Sequence, residues 1–583
     1  MNYIKGIRLC GNYDQDYYPF NISAIRYLST VGNLPLEKPV TFFVGENGTG
    51  KSTLIEAIAV AMGFNGEGGS RDFFFSTQDT HSELYNYLTI SKSVSPKDGF
   101  FLRAESFYNT ASFLEENSNM LRYGGVSFHN QSHGESFLAL AMNRFEGNGL
   151  YILDEPSIGL HSRDTDRLIN VLYRLRDLGN TVVVVEHDEE IIRAADYIID
   201  VGPKAGSYGG NIVYRGDLAD IAPGSNSYTL KYLLGEETIE VPNHRRTSNN
   251  VIRIKGAREN NLKGIDVNIP LNTFTVVSGV SGSGKSTLVR NILYRSLMRH
   301  FGNVCDAPGQ CEAVDGALSQ LGGIEFIDQN PIGKSSRSNP VTYLKVYDDI
   351  RHLFAQQPLA KQLGFGAGHF SFNADGGRCE ECKGEGTITV SMQFMADLKL
   401  ECEACHGKRF KNDVLEVKFH GKNIHDILEM TVGDAINFFQ EHGQKRIAEN
   451  LQPLQDVGLA YIKLGQSSST LSGGENQRVK LAYYLSRQSD RPTMFIFDEP
   501  TTGLHFHDIK KLLKSFYRLL ERGHSLVIIE HNMDIIKCAD YLIDLGPEGG
   551  EQGGNLVACG TPEEVAKCEK SYTGRFLREK LGL

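Results

Sequence analysis

Apolar runs that enter glycine-rich loops and leave them as amphipathic stretches occur twice along the chain. The run VTFFV, from Val40 to Val44, enters the first loop, and apolar residues at positions i, i+3 and i+4 follow it. This spacing is typical of a helix that buries one face. The stretch from Phe274 to Val289 repeats the same order. Strand, loop and helix in succession predict an α/β fold with two P-loop ATPase domains in tandem.

Both loops have the spacing of a Walker A motif. Their glycines allow backbone N–H groups to curl around phosphates at a helix N-terminus, the lysine reaches the β- and γ-phosphates, and the serine can ligate Mg²⁺. A chance glycine-rich turn is the alternative, and the strand before and helix after each loop argue against it. The predicted nucleotide-binding residues are Gly45, Gly50, Lys51, Ser52 and Thr53 in the first loop, and Gly279, Gly284, Lys285, Ser286 and Thr287 in the second.

Two further motifs repeat with one constant offset of 344 positions. YILDEPSIGLH (151–161) and MFIFDEPTTGLH (494–505) each indicate a Walker B strand followed by a D-loop, and VVVVEHD and LVIIEHN each contain a switch histidine. The acidic pairs would hold Mg²⁺ and polarise the attacking water, and the histidines would contact the γ-phosphate. These predicted residues are Asp154, Glu155 and His187 in the first half, and Asp498, Glu499 and His531 in the second.

The stretch LSGGENQR (471–478) is an ABC-type signature, and QSHGESF (131–137) keeps its Ser-x-Gly-Glu core. In ABC pairs each nucleotide lies between the Walker A loop of one half and the signature of the other. The first site is therefore predicted to use Ser472 and Gly474, and the second to use Ser132, Gly134 and Gln329. Gln78 could sense nucleotide in the first half, where a surface glutamine is an equal alternative.

The Walker A loops are only 234 positions apart, so the second half holds about 110 extra residues before its Walker B strand. They contain two CxxC motifs 19 residues apart, joined by a stretch, TITVSMQF, that alternates as a hairpin strand does. This spacing predicts a four-cysteine Zn²⁺ site. Four unrelated thiols or a redox pair are the alternatives. Four thiolates leave no open position, so the zinc would be structural, with ligands Cys379, Cys382, Cys402 and Cys405.

Basic residues surround these cysteines and also occupy the polar stretch IDQNPIGKSSRSNP (327–340). Neutralised phosphates supply most nonspecific affinity for nucleic acid, so these positions suit contact with a DNA backbone. A solvated loop face is the alternative. The candidate DNA-binding residues are Lys334, Arg337, Arg378, Lys383, Lys408 and Arg409.

Composition limits these interpretations only mildly. A chain of 583 residues with 40% hydrophobic residues predicts two to four domains. The net charge of −11 argues against a chain coated with nucleic acid, so a local basic surface would be needed. Neither a signal peptide nor an apolar run long enough to span a bilayer is visible, and a cytoplasmic location is expected. The expected domains are 1–237 and 251–583, with a linker at 238–250 and an insertion at about 300–465.

From about Leu150 onward the sequence resembles the UvrA family, the damage-recognising ATPases of bacterial nucleotide excision repair. NNLKGIDVNIP, IDQNPIGKSSRSNP, the zinc motif, LGQSSSTLSGGENQRVKLA and LDEPSIGLHSRD carry the resemblance. It implies a head-to-tail pair of ABC ATPase domains that binds damaged double-stranded DNA as a homodimer and loads the partner UvrB.

The first 150 residues depart from that family and resemble stand-alone AAA/ABC-type ATPases instead, through TFFVGENGTGKSTLIEAIAVAMGF and QSHGESFLAL. The first zinc knuckles and the UvrB-docking domain of UvrA would lie in this region, where about 80 residues without cysteine stand. UvrB recruitment is therefore in doubt, and a natural hybrid or a recombined sequence would explain the join. ATP-dependent binding of distorted DNA is the leading hypothesis. A UvrA-like soluble ATPase in drug resistance or remodelling of a non-DNA partner is the alternative.

Overall fold

The computed structural model describes residues 2–583 apart from 16–17, 72–81, 118–124, 126, 129–132, 204–208, 334, 336, 391–397 and 488–490. Its described residues form two compact units. The core unit comprises Met1–Phe73, Ser82–Asp328 and Ser489–Leu583, and the insertion unit comprises Gln329–Gln488. The core unit therefore contains the nucleotide-binding strands of both halves.

The strands alternate between two central sheets and smaller antiparallel ones. Those of the first half are β1 (Ile4–Leu9), β2 (Leu34–Pro35), β3 (Val40–Val44), β4 (Leu88–Lys92), β5 (Asp98–Arg103), β6 (Gly149–Asp154), β7 (Thr181–Val185), β8 (Tyr197–Gly202) and β9 (Asn211–Gly216). Those of the second half are β10 (Val251–Ala257), β11 (Ile265–Pro270), β12 (Phe274–Gly279), β13 (Ala313–Gly316), β14 (Gly323–Ile327), β15 (Thr387–Val390), β16 (Leu398–Glu401), β17 (Thr493–Asp498), β18 (Ser525–Ile529), β19 (Tyr541–Gly546) and β20 (Asn555–Gly560).

The two central sheets have one topology. The first has the order β5-β6-β7-β3-β8-β9 and the second the order β14-β17-β18-β12-β19-β20. Each is parallel except for its last strand, which pairs antiparallel with its neighbour. The central strands β3 and β7 are buried at every position, as expected for parallel strands covered on both faces. This arrangement confirms the predicted α/β class with two tandem P-loop domains.

Helices cover the sheets and build the insertion unit. In the first half they are α1 (Ser23–Val31), α2 (Lys51–Ala61), α3 (Phe107–Asn117), α4 (His133–Arg144), α5 (Ser162–Asp177), α6 (Glu189–Ile192) and α7 (Tyr228–Leu233). In the second they are α8 (Arg295–His300), α9 (Pro340–Tyr343), α10 (Val346–Ala355), α11 (Pro358–Gln362), α12 (Asn412–Glu416), α13 (Ile424–Glu429), α14 (Val432–Glu441), α15 (Lys445–Asp456), α16 (Gly473–Ser486), α17 (Phe506–Glu521), α18 (Met533–Ile536), α19 (Pro562–Ala566) and α20 (Tyr572–Leu581). A π-helical stretch, Thr287–Tyr294, precedes α8.

A three-stranded antiparallel sheet accompanies each central sheet, in the orders β2-β1-β4 and β11-β10-β13. Ile4 and Ile7 of β1 pack into one apolar core with Phe43 of β3 and Ile58 of α2. The second half has an equivalent core, in which Ile252 of β10 packs with apolar residues of the π-helical stretch. The helix that follows each P-loop therefore packs between a parallel sheet and an antiparallel sheet. No described helix has the length and apolarity that a membrane crossing requires.

Candidate functional site

The two P-loops have matching geometry. Lys51 and Lys285 are buried, and each ammonium donates to two carbonyl oxygens of its own loop. The distances from Lys51 are 2.9 Å to Gly45 and 2.7 Å to Glu46, and those from Lys285 are both 3.0 Å. Burial lowers the pKa of Lys51 to about 8, against the opposing charges of Glu155 and Asp154. Both cations are therefore held inside the loop, where a helix N-terminus would receive phosphate.

The first glycine of each loop is required by a close approach of the backbone. Gly45 has φ 125° and Gly279 has φ 133°, which few L-residues adopt. A Cβ atom at either position would lie 2.0 Å from a carbonyl oxygen of the neighbouring strand, at Val201 or Leu545. The loop therefore lies against β8 in the first half and against β19 in the second.

The Walker B carboxylates stand at the ends of β6 and β17. In the first half the hydroxyl of Ser52 donates to Asp154 Oδ1 at 3.1 Å, so the two predicted Mg²⁺ ligands lie together. In the second half burial and the charge of Glu499 raise the pKa of Asp498 to about 6. Ser286 follows Lys285 and is exposed. Thr53 lies in the first turn of α2, and Thr287 accepts a hydrogen bond from Asn260 at 3.2 Å.

Each predicted catalytic glutamate has a left-handed backbone, with φ 53° at Glu155 and 45° at Glu499. Its N–H donates to the strand that leads to the switch histidine, at 2.9 Å in the first half and 3.0 Å in the second. Such strained residues persist only where surrounding structure holds them, as at functional sites. The backbone thus directs both carboxylates toward the switch histidines.

Both switch histidines are buried beside these carboxylates. His187 Nε2 lies 3.5 Å from Glu155 Oε1, and His531 Nε2 lies 3.5 Å from Glu499 Oε1. Burial lowers the pKa of both imidazoles, and nearby Lys51 and Lys285 lower them further. Burial alone would raise the pKa of Glu155, but the hydrogen bond from His187 holds it below its ordinary value. At neutral pH both imidazoles are therefore neutral, and His187 lies beside an ionised Glu155.

Each D-loop reaches the catalytic glutamate of the other half, which sequence reasoning did not anticipate. A Cβ atom at Gly503 would lie 2.7 Å from Glu155 Oε2, and one at Gly159 would lie 3.5 Å from Glu499 Oε2. Asn47 of the first P-loop also donates to the carbonyl of Gly503 at 2.7 Å. The two candidate sites border one cavity of about 110 Å³, lined by both glutamates and both predicted switch histidines.

Two buried histidines at the ends of the D-loops were also missed. His161 Nε2 lies 3.1 Å from Thr573 Oγ1 in the second half, and His505 Nε2 lies 3.0 Å from Thr229 Oγ1 in the first. The only signal in the sequence was the repeated Gly-Leu-His that closes both D-loop motifs. Partners 412 and 276 residues away leave no trace in a local pattern.

The signature residues lie on helix starts. Ser472 caps α16 in a reciprocal pair with Glu475, and Gly474 lies in the first turn. Gly473 packs beside Gln329 within the insertion unit, where a Cβ atom would be 3.1 Å from that of Gln329. Gly134 lies in the first turn of α4. Ser132 and Gln78 lie outside the described residues, so the predicted pairing of signatures with opposite P-loops stays a prediction.

The four predicted zinc ligands converge. Their sulfur atoms all lie within 4.8 Å of one another, and all four cysteines are buried. The Cys379–Cys402 and Cys382–Cys405 sulfur distances are 3.9 and 3.6 Å. Tetrahedral Zn²⁺ with Zn–S bonds of about 2.3 Å requires sulfurs about 3.8 Å apart. The antiparallel pair β15–β16 connects the two knuckles as predicted. The cluster therefore fits a structural zinc ion.

The candidate DNA-binding residues differ in whether they already interact with another residue of the chain. Arg378 forms an ion pair with Asp375 at 2.7 Å, and Arg337 lies 3.4 Å from Glu385. Arg409 donates to the carbonyl of Gly465 at 3.2 Å. Lys383 and Lys408 are exposed, and neither has an ion pair within the part of the chain that the structure describes. Lys334 lies outside that part. The two exposed lysines are the candidates best placed to meet an external anion.

Comparison with known proteins separates the beginning of the chain from the rest. A family model described as an AAA domain matches residues 21–107, and one described as an ABC transporter matches residues 380–502. Over 433 residues, 74% of this chain, the sequence is 54% identical to UvrABC system protein A of Clostridium perfringens and 55% identical to that of Staphylococcus aureus. These matches cover 46% and 45% of the two relatives.

A solved structure supports the same assignment. The crystal structure of UvrA2 from Deinococcus radiodurans matches with a TM-score of 0.72 and 41% identity, covering 79% of this chain and 56% of that one. The chain spans about half the length of the curated relatives that it matches. The resemblances drawn from the sequence are confirmed: over most of its length the chain is UvrA-like, and an AAA-type ATPase domain stands near its beginning.

Proposed function

We propose that the chain is an ATPase that couples ATP binding and hydrolysis to the binding of distorted or damaged duplex DNA. One observation carries the proposal. A P-loop lysine, a Walker B carboxylate, a strained glutamate and a switch histidine occur twice, in matching geometry, within a chain that is UvrA-like over 74% of its length.

Hydrolysis follows from the positions of these residues. Glu155 and Glu499 accept a proton from a water that attacks the γ-phosphorus, and the bond to the bridging oxygen of the leaving ADP breaks. Lys51 and Lys285 exchange their loop carbonyls for phosphate oxygens. The neutral imidazoles of His187 and His531 each have one N–H, which would shift from the neighbouring glutamate to the γ-phosphate when nucleotide binds. Most of the rate enhancement comes from positioning and charge stabilisation, as in other phosphoryl transfers.

The hydroxyl after each P-loop lysine and the carboxylate at the end of each Walker B strand suit Mg²⁺, which prefers oxygen ligands. Asp154 with Ser52 and Asp498 with Ser286 would hold the ion, and the contact of Ser52 with Asp154 fits this role. When bound, Mg²⁺ would neutralise charge on the β- and γ-phosphates.

The insertion unit is the proposed DNA surface because its charge differs from that of the core unit. Residues 329–488 hold 19 Lys and Arg against 18 Asp and Glu. The whole chain has 60 and 71, which leaves 41 and 53 for the remaining residues. The insertion unit therefore has a net charge of +1 and the remaining residues a net charge of −12. Lys383 and Lys408 beside the zinc knuckles would contact backbone phosphates and recognise duplex shape rather than base edges.

The proposed partners rest on the names of the relatives and on the resemblance to the UvrA family. A second copy of the chain is proposed as a partner, because the resemblance to the UvrA family implies a homodimer. UvrB belongs to the same named system, but the interval between the first P-loop and β6 holds no cysteine and so no second four-cysteine zinc site. UvrB recruitment by the first half is therefore left out of the proposal.

Binding of fluorescent duplexes, one with a lesion and one intact, tests the proposal with and without ATP. We expect tighter binding of the lesion-bearing duplex and affinity that falls with rising salt. The K383A/K408A double variant should lower the slope of log affinity against log salt by about 2, because each lost phosphate contact removes about 0.9.

The matched control is K361A/K445A, which removes two exposed lysines of the same unit on α11 and α15. It should retain the wild-type slope. An unchanged slope in K383A/K408A, or equal losses in both double variants, would remove the zinc module from the DNA surface. Salt-independent binding would refute the DNA proposal as a whole.

A further inference from the structure

The D-loop histidines His161 and His505 are completely buried, and the hydrolytic mechanism does not use them. Each precedes a long helix, α5 or α17, and its Nδ1 accepts the N–H of the residue two positions on. The distances are 3.2 Å from Arg163 N and 3.3 Å from His507 N. One nitrogen of each ring therefore caps the helix of its own half.

The other nitrogen crosses to the opposite half. His161 Nε2 meets the hydroxyl of Thr573, which donates to Asp544 at 2.8 Å. Because a hydroxyl has one hydrogen and gives it to the carboxylate, it can only accept from the imidazole. The ring is thus a neutral imidazole with its proton on Nε2.

The mirror contact has the same form, since His505 meets Thr229 and Thr229 donates to Asp200 at 3.1 Å. Burial, together with the neighbouring switch histidine, keeps the pKa of both D-loop histidines well below the ordinary value. Every polar atom of both rings is satisfied in this one arrangement.

The crossing contacts end at the catalytic apparatus of the other half. Asp544 also accepts from Ser278 at 2.9 Å, and Ser278 directly precedes the first glycine of the second P-loop. In the first half, a Cβ atom at Gly45 would lie 3.1 Å from Asp200 Oδ1, so that carboxylate lies against the first P-loop. Each D-loop histidine is thus connected through a threonine and an aspartate to the opposite P-loop.

Each D-loop histidine also packs against the opposite switch histidine. The rings of His161 and His531 meet edge-on, with centroids 5.9 Å apart and planes at 87°. Those of His505 and His187 meet in the same way, at 6.2 Å and 82°. The D-loop ring therefore limits how the switch imidazole can turn within its buried pocket.

We propose that His161 and His505 are positioning residues that act across the halves. His161 orients His531 and the second P-loop, and His505 orients His187 and the first. Hydrolysis at each site then depends on a D-loop residue of the other half. This inference rests on the proposed ATP hydrolysis and assigns a further positioning residue to each site.

Single-site proteins test the direction of this dependence. The E155Q variant leaves the second site as the hydrolytic one, and E499Q leaves the first. H161N keeps an acceptor that can cap α5 but does not reach Thr573. In the E155Q background it should lower kcat about tenfold, the size of one lost buried hydrogen bond, with KM for ATP changed less than about twofold. In the E499Q background its effect should be much smaller. H505N should show the reverse pattern.

The conservative variant separates positioning from helix capping. H161Q places an amide donor near the position of Nε2 and should restore most of the lost kcat in the E155Q background. T573V should reproduce the loss in that background without touching the D-loop, and T573S should not. Circular dichroism confirms that each variant is folded.

The possible failures are distinguishable. Equal losses from H161N in both backgrounds, or better activity in H161N than in H161Q, would overturn the cross-half role and leave a structural cap. Absence of ATP turnover in the wild-type chain and in both single-site proteins would instead refute the proposed ATPase function.

Discussion

The two halves of the core unit share one sheet topology but differ in the length of the segments that connect equivalent strands. In the first half 45 residues separate β5 from β6, whereas in the second half 165 residues separate β14 from β17. Residues 21–107 of the first half match an AAA domain, and the matched ABC region, residues 380–502, lies in the second half. Despite this, each glutamate has the same backbone conformation and lies at the same distance from its switch histidine. The strand ends that bear these residues determine the catalytic geometry, and the surrounding segments do not alter it.

The halves also differ in small ways at the P-loops. Ser278 donates to Asp544, but Val44, at the corresponding position before the first loop, has no hydroxyl. Gly503 lies closer to Glu155 than Gly159 does to Glu499. These differences predict sites of the same chemistry with unequal sensitivity to substitution.

Removing the catalytic carboxylates should have the largest effect. We expect the E155Q/E499Q double variant to lose at least about 100-fold in turnover, because acid–base groups contribute about 10² or more to the rate. Each single variant should lose the contribution of one site. Steady-state phosphate release measures this, and E551Q, at an exposed glutamate, is the control. A wild-type rate in E499Q would show that the second half is idle and that the halves are not equivalent.

Loss of the zinc site should disrupt the zinc module of the insertion unit and leave the core unit intact. Substituting the fully buried Cys402 by serine should reduce bound zinc from one ion per chain to none and unfold the zinc module, since zinc binding supplies about 10–16 kcal/mol in small zinc modules. Metal analysis and limited proteolysis report these changes. Binding of a fluorescent ATP analogue to the first P-loop should survive, because Lys51 and its sheet belong to the core unit. C10S, at an exposed cysteine, is the control. Zinc retained in C402S would contradict the four-ligand assignment.

The D-loop glycines offer the finest comparison. Both have positive φ, 65° at Gly503 and 72° at Gly159, so alanine should cost each about 1 kcal/mol of stability. Only the Gly503 Cβ atom, 2.7 Å from Glu155, would displace a catalytic carboxylate. We expect G503A to lower kcat of the first site severalfold and G159A to leave the second site nearly unchanged. Turnover in the E499Q and E155Q backgrounds gives the two values. Equal effects would mean that D-loop backbone strain, not contact with the glutamate, controls the rate.

The sequence predicted the parts of this molecule that local spacing encodes. Walker A glycines, Walker B acids and paired CxxC knuckles each act through residues within a few positions, so their motifs implied both the elements and the chemistry. The β15–β16 hairpin and the convergence of four sulfurs followed from the same reasoning.

Local sequence patterns did not predict contacts between distant segments of the chain. The pairing of His161 with Thr573 joins residues 412 positions apart, and the small sheet β11-β10-β13 depends on tertiary packing. Charge clustering also did not reveal that Arg378 and Arg409 have partners in Asp375 and Gly465, and their contact with DNA stays a prediction. A basic residue in a sequence carries no indication of whether it is already paired.

The adjacency of strands β14 and β17 has a consequence for how such proteins vary. These strands pair in parallel, with Ile327 opposite Phe497, and β5 pairs in the same way with β6, with Arg103 opposite Asp154. The chain therefore leaves each sheet at the carboxyl end of one strand and returns at the amino end of the adjacent strand, whatever the length of the segment between them. An inserted domain is tolerated at such a connection because the two adjacent strands stay paired and the host fold keeps its own core. The segment between the two strands can therefore be shortened, lengthened or exchanged without disturbing the sheet. The binding partner can then change while the nucleotide-binding fold stays the same.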